Sequence, residues 1–447
     1  MKKFDVIVIG GGPGGSSAAM ALSKAGRAVC LFEGENIGGT CLNVGCIPTK
    51  YLLDRAAALE KIRKCTEEGI LRGAGEFSWK RIQAGREKTV LKLRSGLEAS
   101  LRTCGVVTVS GKAVLKKDLT VVCDGEEYSA GDIIIATGSS PAAKVLADSP
   151  YTDSTGGLSQ KKLPERLLIV GGGVIGLELA SAYRSFGSEV TVIELAENIL
   201  GSALPAAARL LKSRLEARGI RFFCGTRLES TERYDGGIRV KTSSGEFTAD
   251  AVIMANGRKP RLDGIDAEAL GLKLNERGGI AVDGRMKTNL PHIYAIGDVT
   301  GRVMLAHAAY ADASVAVANI LGRNEVSDTR IMPQCIYTYP MLASVGMTVS
   351  DAERLGIPAS VGMSDFRANG MAVAEGEEGC AFAVVDKRNG KNLGFTVVGA
   401  SACELIGTAS IAVERGYTAE DWQHLTVAHP TLSECLKDAV LSAKTEN

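Results

Sequence analysis

FDVIVIGGGPGGSSAAMALSKAGRAVCLFE, residues 4–33, decides the fold. FDVIVIG is a short, continuous apolar run, the pattern of a strand buried on both faces of a parallel sheet. It leads into GGGPGG, where Gly10, Gly12 and Gly15 make G-x-G-x-x-G. SSAAMALSKAG then reads as a helix closed by Gly26, and RAVCLFE as a second strand ending at Glu33. Glycines at these places permit a tight turn and let backbone N–H groups approach a pyrophosphate at the helix N-terminus. Glu33, 23 positions after Gly10, stands where a carboxylate would hold ribose hydroxyls. A glycine triplet alone is weak evidence. The full order of strand, turn, helix, strand and acid specifies a dinucleotide-binding unit.

The order then repeats. ERLLIV leads into GGGVIGLE with Gly171, Gly173 and Gly176, a helix through LELASAYRSFG, and a strand EVTVIE ending at Glu194. Glu194 again lies 23 positions after the first glycine, so the chain carries two units and implies two dinucleotides. A carboxylate at the end of the second strand pairs with the 2′ and 3′ hydroxyls of ribose and repels a 2′-phosphate. The LAENIL that follows has no Arg or Lys, and Glu197 adds negative charge, which favours NAD over NADP.

Between the two units lies GGTCLNVGCIPTK, residues 38–50. In a regular helix, residues five positions apart lie ~8–9 Å from each other, whereas a disulfide needs Cα atoms within ~7 Å. Cys41 and Cys46 can therefore bond only across irregular backbone. Pro48 places a helix start near itself, leaving Cys46 beside a helix N-terminus that favours its thiolate. The pattern points to redox chemistry. A metal site lacks further ligands: the third cysteine of a plant-type iron–sulfur run would fall on Thr49, and no second Cys/His pair follows. The other nine cysteines read as small buried hydrophobes.

Composition narrows the classes. A chain of 447 residues has room for two to four domains. A net charge of +1 gives no electrostatic case for nucleic acid or an anionic membrane. Eleven cysteines without regular spacing argue for a reducing compartment. MKKFDVIVIGGG mimics a signal peptide, but Asp5 and the early glycines interrupt it, and no apolar stretch reaches the ~18 residues of a membrane span. The expectation is a soluble, cytoplasmic protein.

These residues, with three more segments, resemble the flavoprotein disulfide reductases nearly end to end, and within them the branch that oxidises dihydrolipoamide. GGTCLNVGCIPTK resembles the family's redox segment almost residue for residue. DIIIATGSSP at 132–141 matches the strand and turn that return the chain to the flavin domain. TNLPHIYAIGD at 288–298 resembles the second flavin motif, and HPTLSE at 429–434 the C-terminal catalytic segment. The resemblance implies FAD on the first unit and NAD on the second. It implies further cofactor contacts at Gly39, Thr40, Lys50, Thr137, Gly138, Asp298, Leu305, Ala306, His307 and Gly257. It also implies a Lys50–Glu178 pair at the flavin, a His429 base partnered by Glu434, and a homodimer in which that histidine serves the other subunit's disulfide.

Those residues make chemical sense in their own right. A dithiol substrate arrives protonated at neutral pH, and an acid beside a histidine fixes the tautomer of a base able to take the proton. Thr431 to Glu434 would otherwise read as a capping pattern at a helix start.

The expected architecture is α/β: two Rossmann-like domains, for FAD and NAD, plus a central segment and an α+β dimerisation domain. The expected boundaries are 1–146, 147–265, 266–333 and 334–447. The implied partners are dihydrolipoamide or the lipoyl domains of a 2-oxo acid dehydrogenase or glycine cleavage complex. An NADH-dependent reductase of another disulfide and a catalytically silent flavoprotein subunit are the alternatives. Glutathione and trypanothione reductases need basic residues after the second strand. Mercuric reductase and high-molecular-weight thioredoxin reductase need a C-terminal redox pair, and NADH oxidases and peroxidases keep one cysteine. This chain departs from each. It also departs from the dihydrolipoamide branch at Val427, at YADA (310–313) and at YTYPMLASVG (337–346), none of which removes a catalytic group.

Overall fold

The computed structural model describes residues 1–73, 76–143, 148–201, 205–328 and 331–444. The first sheet runs Val107–Ser110, Val29–Glu33, Lys2–Ile9, Glu126–Ile135, Val121–Cys123, Val114–Leu115. Lys2–Ile9 lies parallel between Val29–Glu33 and Glu126–Ile135, and its Val6–Ile9 half is fully buried, as the unbroken apolar run requires. Ile293–Ala295 returns from far along the chain to pair in parallel with Ile133–Ile135. Segment 266–333 thus adds a strand to the first sheet.

The second sheet has the order Arg221–Phe223, Glu189–Ile193, Arg166–Val170, Ala251–Met254, Thr152–Asp153, all parallel. A three-stranded antiparallel sheet of Leu228–Tyr234, Gly237–Thr242 and Gly245–Ala249 adjoins it. Ser139–Pro141 pairs antiparallel with Arg258–Pro260, tying the exit of the first unit to the exit of the second. The expected boundary at 146–147 lies outside the described residues.

The C-terminal sheet is antiparallel: Gln334–Ile336, Met341–Gly346, Asn392–Gly399, Cys380–Asp386, Ala359–Asp365. AFAVVD and GFTVVGA form its two central-to-edge strands, and helices Ala402–Arg415 and Glu434–Leu441 pack on it.

Both nucleotide units close in the same way. Helices Pro13–Lys24 and Val174–Ser185 follow their first strands at once, and each ends in a left-handed glycine, Gly26 and Gly187. Arg27 N donates to Leu22 O and Ser188 N to Tyr183 O, satisfying carbonyls of the last turns. Gly10 and Gly171 sit at φ +108° and +116°, which favours glycine. A Cβ on Gly15 would lie 1.9 Å from the Gly10 carbonyl oxygen, and one on Gly176 2.0 Å from that of Gly171, so strand and helix touch without room for a methyl group.

This contact is testable. In Gly176→Ala no rotamer relieves the clash, so the cost lies near ~3 kcal/mol. That outweighs the ~1 kcal/mol that alanine gains in a helix. The melting temperature is expected to fall by roughly 4–8 °C; an unchanged melt would contradict the packing described.

Candidate active site

The two cysteines are brought together by a break between helices. A six-residue helix, Gly39–Val44, carries Cys41, and the 22-residue helix Cys46–Glu67 begins at Cys46 itself. Gly45 between them has φ −137° and ψ −110°, and a Cβ there would meet the Thr40 carbonyl oxygen at 2.9 Å. The kink places the Cα atoms of Cys41 and Cys46 4.7 Å apart, and the sulfurs are bonded. The helix starts two residues earlier than Pro48 suggests. Proline at its third position costs no hydrogen bond, because the first turn's N–H groups have no helical acceptors. Asn43 Nδ2 donates to the carbonyls of Ile37 (3.0 Å) and Gly39 (2.9 Å), bracing the short helix from below.

One turn beyond Cys46, Lys50 Nζ donates to both carboxylate oxygens of Glu178 at 2.8 Å. The Glu178 side chain is 5% exposed and that of Lys50 35%. Glu178 Oε1 also accepts the N–H of Tyr337 at 3.0 Å, and the Tyr337 ring stands 4.3 Å from the Lys50 ammonium. The first nucleotide unit, the second and the C-terminal unit therefore meet at one buried carboxylate.

A single cavity of about 1200 Å³ runs past both glycine turns, the disulfide, Lys50 and Glu178. Glu33 and Glu194 occupy equivalent places at its two ends. Gly11 N donates to Glu33 Oε2 at 2.8 Å, and Gly172 N to Glu194 Oε2 at 2.6 Å. Their other oxygens accept from Glu35 N and Ala196 N, both at 2.8 Å. Each carboxylate is thus aimed by backbone amides and keeps free lone pairs for hydroxyl donors. A Cβ on Gly12 or on Gly173 would meet nothing within 4 Å. These two glycines face open cavity at helix N-termini, where a pyrophosphate fits. Two such cradles in one cavity match a flavin dinucleotide on the first unit and a nicotinamide dinucleotide on the second.

Asp298 reaches the cavity from the short helix Gly297–Thr300. Burial raises its carboxyl above the usual range, opposed by the hydroxyl of Ser139, which donates to Oδ2 at 2.5 Å, and by Arg258. Arg258 in turn donates to Ser139 Oγ at 2.8 Å and to its carbonyl at 2.7 Å. Gly39, Thr40, Thr137, Gly138, Gly257, Leu305 and Ala306 also line the cavity. Thr137 Oγ1 is turned to the Arg261 carbonyl at 2.5 Å. His307 follows Ala306 on helix Ala306–Ile320, but its ring Nε2 bonds the Pro333 carbonyl at 2.7 Å. That side chain is held against the C-terminal connection.

His429 and Glu434 form a pair of their own. His429 Nδ1 lies 2.9 Å from Glu434 Oε1, and Thr431 N donates to Oε2 at 3.0 Å. The Thr431 amide and the His429 ring hold the Glu434 carboxyl below the usual range. The expected capping geometry and the expected acid–histidine bond therefore use the two oxygens of one carboxylate. The imidazole side chain is 77% exposed, and neither residue lines the cavity with the disulfide.

Several functional contacts escape a reading of motifs. Tyr337 supplies a backbone N–H, which leaves no sequence trace. Ser139 and Arg258 meet only because strands 139–141 and 258–260 pair; the serine stands inside the quoted DIIIATGSSP, and the arginine follows Gly257 directly. Cys335, read as a buried apolar residue, lines the cavity instead.

Comparison with known proteins agrees with this geometry. Residues 4–313 match the family model described as pyridine nucleotide-disulphide oxidoreductase, and residues 332–440 match its dimerisation domain. The chain is 37% identical over 447 residues to the dihydrolipoyl dehydrogenase of Bacillus subtilis, covering 97% of both. It is 39% identical over 451 residues to that of Thermus scotoductus, covering 98% of this chain and 97% of the relative. Among solved structures it is similar to LpdA from Mycobacterium tuberculosis, with a TM-score of 0.90, 25% identity and 99% coverage of each. It is also similar to the HOCl-induced flavoprotein disulfide reductase RclA from Escherichia coli, with a TM-score of 0.89 and 28% identity over 98% of this chain and 99% of that one.

The Ser139–Asp298 bond makes a pH-dependent prediction. Ser139→Ala removes an acceptor from Arg258, a loss of about 1 kcal/mol at any pH. It also removes the donor that favours the ionised form of Asp298, and that part is absent while the carboxyl is protonated. The added cost therefore grows as pH rises through the elevated Asp298 value. The melting-temperature gap between wild type and variant should be larger at about pH 8 than at about pH 5. An equal gap at both would show that the hydroxyl does not serve the carboxylate.

Proposed function

This chain belongs to the pyridine nucleotide-disulphide oxidoreductases, and from that premise we propose that it oxidises protein-bound dihydrolipoamide with NAD+. The observation that carries the reading is the bonded Cys41–Cys46 pair in one cavity with both nucleotide cradles. The family's cofactors, FAD and NAD(H), supply the two-electron transfer that returns the reduced pair to the disulfide.

The chain's own residues handle the sulfur and the protons. His429, held by Glu434, takes the proton of a dihydrolipoyl thiol. The resulting thiolate attacks the Cys41 sulfur and breaks its bond to Cys46. Cys46 leaves as a thiolate at the start of a long helix, where the helix dipole and free N–H groups stabilise negative charge. The second substrate thiol loses its proton to the Cys41 sulfur as its own sulfur attacks the first, releasing the oxidised ring and leaving Cys41 as a thiol. Lys50, fixed on Glu178, keeps a cation close to the cysteine pair and the flavin cradle.

A homodimer supports this scheme. His429 is exposed and stands outside the cavity, and residues 332–440 match the family's dimerisation domain, so His429 of the partner subunit would complete each site. We assign residues 1–146 to FAD, 147–265 to NAD, 266–333 to a central segment that rejoins the flavin sheet, and 334–447 to the interface. The partners would be lipoyl arms of a 2-oxo acid dehydrogenase or glycine cleavage complex. A cytoplasmic setting fits nine cysteines that remain free, and among the described residues no helix is long and apolar enough to cross a membrane.

The test is anaerobic turnover of dihydrolipoamide with NAD+, beside NADP+ and beside NADH with glutathione disulfide. Fast, NAD-specific turnover that Cys46→Ser abolishes is the expected result. Glu434→Gln should retain about 1–10% of the wild-type rate, since it keeps the shape but loses the charge that orients the imidazole. A protein that ignores dihydrolipoamide yet reduces another disulfide would overturn the substrate assignment.

A further inference from the structure

A second pair of sulfurs meets at the wall of the same cavity. Cys335 lies on strand Gln334–Ile336 and lines the cavity with Lys50 and Glu178. Cys403 lies in the first turn of helix Ala402–Arg415, buried behind it, with its sulfur 3.9 Å from the Ile336 carbonyl oxygen. The two thiols are hydrogen-bonded to each other. The Cys403 S–H donates, which holds the Cys335 thiol below its ordinary range and raises that of Cys403. Lys50 adds to the first effect, while burial and Glu178 oppose it.

The remaining free cysteines offer no comparable arrangement. Cys30 and Cys123 are neighbours too, but both are packed inside the core of the first sheet, and burial raises their thiols. Only Cys335 and Cys403 combine mutual contact, a nearby cation and an opening to the cavity. Those are the conditions for an oxidisable thiolate with a resolving partner.

We propose that Cys335 and Cys403 are a second, peroxide-oxidisable redox pair that closes reversibly and turns the enzyme down. The Cys335 thiolate attacks a peroxide oxygen, the O–O bond breaks, hydroxide leaves, and Cys335 becomes a sulfenic acid. The Cys403 sulfur then displaces the hydroxyl group, which departs as water with the Cys403 proton. Peroxide takes up the two electrons that the S–S bond formation releases. The new bond ties strand 334–336 to helix 402–415, two residues from the Tyr337 N–H that holds Glu178. Closure thereby disturbs the Lys50–Glu178 junction. The site does not depend on which disulfide the enzyme reduces or forms.

The experiment uses the oxidised holoenzyme, in which Cys41–Cys46 is already closed and peroxide meets only free thiols. Tryptic peptides 331–354 and 392–415 each carry one cysteine, Cys335 and Cys403 respectively, so a non-reducing digest reads the cross-link directly. Hydrogen peroxide should produce that linked pair and slow NADH-driven turnover at least about tenfold, with both effects reversed by dithiothreitol. In Cys403→Ser no linked peptide should form, and Cys335 should be trapped by dimedone as the sulfenic acid. A wild-type map without the linked peptide overturns the proposal, and so does a linked peptide with unchanged turnover.

Discussion

The carboxylate of Glu178 is the point on which the rest of the site depends. It is almost wholly buried, and a buried carboxylate without partners is destabilising by several kcal/mol. Three hydrogen bonds answer that cost, and they come from different parts of the chain. Two are from Lys50, one turn beyond the disulfide, and one is from the backbone of Tyr337 in the C-terminal unit. Satisfying this one group therefore fixes the cysteine helix, the second nucleotide helix and the C-terminal sheet against each other. Lys50 is about one-third open to the cavity, so part of its charge remains available to whatever binds there.

Much of the remaining architecture follows from backbone close to backbone. Gly15 and Gly176 exist because a helix must start where a strand ends, with a carbonyl oxygen in the space a methyl would fill. Gly45 has the same logic at the redox pair, where its missing Cβ lets one helix stop against the next. Gly12 and Gly173 differ from these, since they have open space before them. Their absent side chains make room for a ligand.

Constraints of this kind are legible in a sequence because they restrict residue type at fixed spacing. The two strand–turn–helix units, the carboxylates that end their second strands and the bonded pair at 41 and 46 were all readable for that reason. So was the contact between His429 and Glu434, five residues apart. Contacts made by a backbone N–H, such as that of Tyr337, impose no residue type and leave no trace. The Ser139–Asp298–Arg258 chain depends on two short strands finding each other across more than a hundred residues. Cys335 was misread because an isolated cysteine in an apolar run looks like core, and its partner lies 68 residues away. Pro48 misplaced a helix start by two residues, since the first turn tolerates proline at more than one position.

The account stands or falls on a site shared between two copies of the chain, with the cysteines inside the cavity of one and the imidazole on the surface of the other. Mixed dimers test this most directly. Cys46→Ser and His429→Gln subunits should each be inactive alone. A dimer of one of each holds one intact site, so it should regain about half of wild-type dihydrolipoamide turnover. Mixed dimers as inactive as their parents would place His429 beside the cysteines of its own chain, and the shared site would have to be abandoned.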